Sequence, residues 1–175
     1  MTSILSDEYL QQSSQLLDQA MLKIEHCMAQ LADSQIGQRP QPGLNSIGNL
    51  ILHMAGNLRQ WAIVPNSPNE TDQRNRDQEF ADCEIGKDEL LKQLRETVAQ
   101  ARAVFQSLRS TGAESLLESD TIQGFTLSRL GAITHTTTHF VGHTHQVIML
   151  TRMMLGDAYS YQWTASEGDR SQVPI

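Results

Sequence analysis

The chain reads as an all-α protein, a four-helix bundle with a long crossover between its second and third helices. Three observations predict this. Apolar residues recur at three-to-four spacing in four long segments, almost nothing alternates with the period of a strand, and proline-, glycine- or polar-rich stretches separate the segments. The length of 175 residues fits a single domain over 1–175, with an irregular tail from about 157.

The first helix is expected over about 4–32, with Leu10, Leu17, Met21, Ile24, Met28 and Leu31 on one side and Gln11, Gln12, Gln15 and Gln19 opposite. The segment 37–43, with Pro40 and Pro42, ends it. Asn45 or Ser46 is a good N-cap for a second helix that runs to about Val64, before Pro65. Residues 66–85 are strongly polar and show no periodic face, and a loop of that length inside a compact unit is commonly functional or a crossover. The third helix is expected over about 87–109, with Leu90, Leu94, Val98, Ala101, Phe105 and Leu108 inward. A linker with Gly112 and Gly124 leads to the fourth, over about 126–154, which Gly156 closes as a C-cap.

The fourth segment carries the chemistry. Four of the six histidines lie between positions 135 and 145: His135, His139, His143 and His145. In a strand all four rings would point one way, because all four numbers are odd. In a helix His135, His139 and His143 form one stripe, and a His-x-x-x-His pair can chelate a transition-metal ion. The flanks favour the helix: Leu127, Leu130 and Ile133 upstream and Val147, Leu150 and Met154 downstream keep helical spacing. The run Thr136-Thr137-Thr138 works against it, since β-branched residues lower helix propensity.

Two histidines do not complete a site, because an open catalytic zinc normally has three protein ligands. The second helix offers His53, flanked by Leu50 and Met54 on an apolar face; a lone histidine there is otherwise an ordinary core residue. His26, in a Gln/Glu-rich stretch, reads as partly buried or solvated. Cys27 and Cys83 form no Cys-x-x-Cys pattern, so neither a disulfide framework nor a thiolate zinc site is indicated. A net charge of −7, from 13 basic and 20 acidic residues, argues against nucleic-acid binding. No apolar run approaches the roughly 20 residues of a membrane span, and no signal peptide is visible, so a cytoplasmic protein without a membrane partner is expected.

The stretches Asn49 through Trp61, His139 through Gln146, and Arg74 through Phe80 together resemble the DinB-like (YfiT-like) superfamily of four-helix bundles, over nearly the whole chain. The resemblance implies a divalent metal held by His53, His139 and His143, with coordination positions left open. It also implies activities such as metal-dependent transfer of low-molecular-weight thiols or thiol-dependent isomerisation, and frequent homodimers. Members usually carry a small residue where this chain has His145. His135 adds a further departure: it cannot share an ion with His143, eight residues and ~12 Å along a helix, but it could pair with His139 instead. The register His139/His143 places Gln146 at the family position. His145 falls on the far side of the helix and reads as an exposed or interface residue.

Three neutral ligands leave the ion's charge uncompensated, which favours an anionic further ligand. The leading expectation is a small-thiol S-transferase-like enzyme using zinc or nickel and acting on a small-molecule substrate. A metal-dependent hydrolase and a non-enzymatic metal-binding or structural bundle are the alternatives. Glu79 and His135 are the candidates for acid/base work, with a solvated surface residue as the plain reading of Glu79. Asn57, one turn beyond His53, and Gln146 are the candidates for orienting ligand imidazoles. The aromatic tail, Tyr159, Tyr161 and Trp163, is expected either to wall the pocket or to anchor the chain end.

Overall fold

The computed structural model describes residues 4–67 and 70–161; Trp163 lies outside them. The bundle is all-α in its architecture. Its long helices are α1 (Ile4–Ala29), α3 (Ile47–Leu58), α5 (Lys87–Leu108) and α6 (Arg129–Leu155). Short helices α2 (Asp33–Ile36) and α4 (Arg76–Phe80) lie in the connections. Helix α1 packs on α6 and α5, and α3 packs on α5 and α6. The shared core includes Leu17, Ile24 and Met28 of α1, Ile51 and Met54 of α3, Phe105 of α5, and Phe140 and Val147 of α6.

Helix α3 starts where its sequence predicts. The Ser46 hydroxyl accepts from the Asn49 backbone N–H at 3.1 Å, and the Asn49 side chain accepts from the Ser46 backbone N–H in return. The helix continues past Leu58 through a π-helical turn, Arg59–Ile63, and a 3-10 turn, Val64–Asn66. A π-helical turn carries one extra residue, which rotates the downstream side chains about the helix axis, and such turns recur at functional sites. Here Gln60 and Trp61 are buried in that turn.

The crossover is more ordered than its polarity suggests. Asn49 donates from Nδ2 to the carbonyls of Glu79 (2.8 Å) and Ala81 (2.7 Å), and Arg39 donates to the carbonyl of Phe80 at 2.7 Å. These bonds pin α4 against α3 by its backbone, which is why a segment without an apolar face takes a fixed position.

The linker before α6 differs from the sequence expectation. It holds a two-stranded antiparallel hairpin, β1 (Ser119–Ile122) and β2 (Phe125–Ser128), so residues 126–128 are strand and helix N-cap rather than the first turn of α6. Gln123 and Gly124 form its two-residue tip with φ of 53° and 81°, the left-handed conformation that such a turn requires. In the threonine run of α6 the hydroxyls find different partners, and Thr137 Oγ1 is buried without one among the described residues. Thr138 and Thr144 donate to the carbonyls of Thr134 and Phe140 at 2.8 Å, and Thr136 donates across to Asn57 on α3.

The expected tail contributes to anchoring. Tyr159 packs against the core and its hydroxyl lies 4.0 Å from Cys27 Sγ, while His26, partly buried, lies 2.6 Å from the Ser160 carbonyl. Tyr159 lies against α1, Tyr161 packs on Tyr159 and Arg152, and neither lines the cavity beside the histidines. Among the described residues, no helix is long and apolar enough to cross a membrane.

Candidate metal centre

Helices α3 and α6 face each other, and that packing brings His53 together with His139 and His143. The Nε2 atom of His139 lies 3.1 Å from Nε2 of His53 and 3.1 Å from Nε2 of His143. One donor atom from each ring falls within 4.8 Å of the other two. Nitrogen ligands at ~2.0–2.1 Å from one ion, at angles between square and tetrahedral, are themselves about 2.8–3.4 Å apart. The two short separations fall inside that interval.

The outer ring nitrogens decide which way the lone pairs point. Nδ1 of His53 is 2.9 Å from Glu79 Oε2. Burial pushes the Glu79 carboxyl up, but hydrogen bonds from Arg74 and His53 outweigh it and hold it down at about 2. The carboxylate is therefore acceptor-only, and Nδ1 of His53 carries the proton. Arg74 Nη2, 3.0 Å from that nitrogen, donates instead to Glu79 Oε2 at 2.8 Å, while its Nε donates to Oε1 at 2.6 Å. On α6, Nδ1 of His143 donates to Gln146 Oε1 at 2.7 Å. Both rings thus present unprotonated Nε2 atoms inward.

Between them, His139 Nε2 can carry one proton and serve one neighbour. The other contact then sets lone pair against lone pair at 3.1 Å. His139 Nδ1 is buried and has no hydrogen-bond partner among the described residues. A proton cannot satisfy this centre, whereas a cation accepts all three lone pairs, so the residues present fit a metal. Burial, with the neighbouring imidazoles His143 and His53 adding to it, holds His139 down at about 3. Burial also lowers His143, against the Gln146 hydrogen bond. Both rings are neutral donors at neutral pH.

Glu79, an acid/base candidate whose plain reading is a solvated surface residue, is 6% exposed. What holds it there is a polar network, running from the buried carboxylate to the surface, that sequence reasoning did not reach. Arg74 Nη1 donates to Gln60 Oε1 at 2.8 Å, Gln123 at the hairpin tip donates to the same oxygen at 2.6 Å, and Gln60 donates to Asp72 at 2.6 Å. Gly56 makes the approach possible, because a Cβ at that position would collide with Glu79 Oε1. A signal was present in retrospect: glycine one turn after His53, and Arg74 five residues before Glu79. Asn57, expected to orient His53, instead accepts from Thr136 Oγ1 at 2.8 Å and ties α3 to α6. The orienting place beside His53 belongs to Glu79, which reaches the ring from outside the helix.

His135 lies further along the stripe, its ring centroid 5.9 Å from that of His139 and 4.3 Å from that of Trp61. Its nitrogens are outside the convergent trio. His145 is exposed on the other face of α6. Two of the trio, His53 and His139, border a cavity of about 330 Å³ that is also lined by Asn57, Trp61, Arg76, Gln123, Phe125, Leu127 and His135.

Comparison with known proteins locates this architecture. The chain has the fold of the mycothiol-dependent maleylpyruvate isomerase, at 17% identity and a TM-score of 0.60, over 79% of this chain and 60% of that one. A mutant of the same enzyme gives 16% and 0.61 over the same shares. A conserved protein from Enterococcus faecalis gives 22% and 0.62, over 83% of this chain and 96% of that one. The chain therefore spans about 60% of the isomerase's length, and at these identities the likeness is one of fold. No curated protein matches the sequence. The DinB/YfiT-like assignment drawn from the motifs stands on these matches together with the family match. Residues 4–166 match the family described as Protein of unknown function (DUF1572), and the chain belongs to it.

Proposed function

We propose that this member of the DUF1572 family is a divalent-metal-dependent enzyme that delivers a small thiol to an electrophilic carbon. The observation that carries the reading is the convergence of the Nε2 atoms of three imidazoles beside an open cavity. His53, His139 and His143 would hold zinc or nickel. When bound, such an ion supplies Lewis acidity that lowers the pKa of a thiol and keeps it as the nucleophilic thiolate. Three neutral ligands with no carboxylate among them favour an anionic partner of this kind. The mycothiol dependence named for the isomerase that shares this fold points the same way.

The remaining residues have separable tasks. Glu79 and Arg74 fix the His53 tautomer and Gln146 that of His143. His135 borders the cavity, and neither of its ring nitrogens has a partner among the described residues, which suits it to accept the proton that the thiol gives up on becoming the thiolate, before the S–C bond forms. Burial lowers its pKa, so it stands unprotonated at neutral pH.

The test is spectroscopic. Cobalt-loaded protein titrated with 2-mercaptoethanol should develop a sulfur-to-metal charge-transfer band that His139→Ala removes. A cobalt spectrum indifferent to thiols, with metal-dependent hydrolysis of an activated ester, would replace the transferase reading with the hydrolase one.

A further inference from the structure

The cavity beside the histidines is lined by donors and lacks acidic groups. No Asp or Glu borders it, although the chain carries a net charge of −7. Arg74 is locked to Glu79, but Arg76, two residues on, has no carboxylate partner among the described residues and stacks 5.7 Å from the centroid of the Phe80 ring. Asn57 uses its Oδ1 on Thr136, which leaves its NH2 group without an acceptor among the described residues. Trp61 is 4% exposed, and its indole N–H is likewise without one. Donors that border a cavity without a protein acceptor are free to hydrogen-bond a ligand oxygen there. Trp61, Phe125 and Leu127 supply apolar walls, and the volume of about 330 Å³ suits a small molecule.

We propose that this cavity binds a small organic carboxylate with an apolar body. Arg76 supplies the counter-charge, Asn57 and Trp61 supply further hydrogen bonds, and the body lies among Trp61, Phe125 and Leu127. The proposal rests on the enzyme reading above in one respect: the carboxylate is the molecule that the thiol attacks. A single guanidinium balances a single negative charge, so a phosphate dianion leaves one charge without a partner at Arg76 and is the poorer fit there.

Binding is measured by calorimetry on metal-free and on zinc-loaded protein, so that coordination to the ion and binding at Arg76 are read apart. The probes are phenylacetate, cinnamate and hexanoate, each against its amide, and phenyl phosphate. The expected result is that at least one carboxylate binds metal-free protein about tenfold or more tightly than its amide, and that Arg76→Gln, an exposed change checked for folding by circular dichroism, removes the difference. Equal binding of acid and amide for every pair, no effect of Arg76→Gln, or tighter binding of phenyl phosphate would each overturn the proposal. Carboxylate binding that depends on Arg76 in a protein that takes up no zinc supports the carboxylate site while overturning the metal-enzyme reading, so the two failures are distinguishable.

Discussion

On the α3 side of the site His53 is buried, and its outer nitrogen is bonded to a carboxylate that is itself gripped by Arg74, which reaches back to Gln60 and the hairpin. On the α6 side His139 and His143 are only partly buried; His143 leans on a residue of its own helix, and the outer nitrogen of His139 is bare. One half is thus fixed by folding before any ion arrives, and the other depends on its occupant for order. The contrast teaches that stability and metal affinity draw on different residues of one small site, and substitutions should separate them.

The largest effect is expected on the fixed half. Arg74→Ala leaves the Glu79 carboxylate buried without its counter-charge, with the His53 hydrogen bond remaining, which should cost roughly 3–5 kcal/mol in the metal-free protein, read from urea unfolding. A loss under about 1 kcal/mol, the range of surface ion pairs, would put the network on the solvated surface instead. Glu79→Gln keeps the shape and removes the charge, and should weaken zinc binding about 10–100-fold, measured by chelator competition. Gly56→Ala pushes a methyl group at Glu79 Oε1 and should cost about 1–3 kcal/mol, with weaker zinc binding as a consequence.

The acid end of the pH dependence includes a contribution from the same half. The Glu79 carboxyl is held at about 2 in the folded chain, against 4.5 ordinarily. Below 4.5 the unfolded chain therefore binds more protons than the folded one, so this contribution is fully present above 4.5 and is lost as pH falls toward 2. Acid titration of stability in metal-free wild type and Glu79→Gln should diverge in that window and run parallel above it. The smallest stability effect is expected on the α6 half. His139→Leu removes the orphaned nitrogen and should leave the metal-free protein within about 0.5 kcal/mol of wild type or more stable, while abolishing metal uptake.

The same division explains what the sequence made legible. The helices, the Ser46 cap, the Gly156 stop and the histidine stripe all come from local periodicity or spacing, where each residue's neighbours are close in the chain. Glu79 reaches His53 over twenty-six residues and Arg74 reaches Gln60 over fourteen, through backbone hooks from Asn49 and a vacancy at Gly56 that no local pattern encodes. The hairpin was hidden for another reason: its strands have four residues each and its tip is Gln123-Gly124 rather than the common Asn-Gly. Asn57 shows the limit of one-turn reasoning, since being a helical neighbour of His53 did not decide which partner its side chain would find.

The most direct test of the whole account is the metal content of untagged protein, measured by elemental analysis after zinc or nickel is supplied, for wild type, His143→Ala and His135→Ala. The account predicts about one ion per chain in wild type and in His135→Ala and none in His143→Ala. No bound ion in wild type, or an ion lost with His135 and kept without His143, would contradict it.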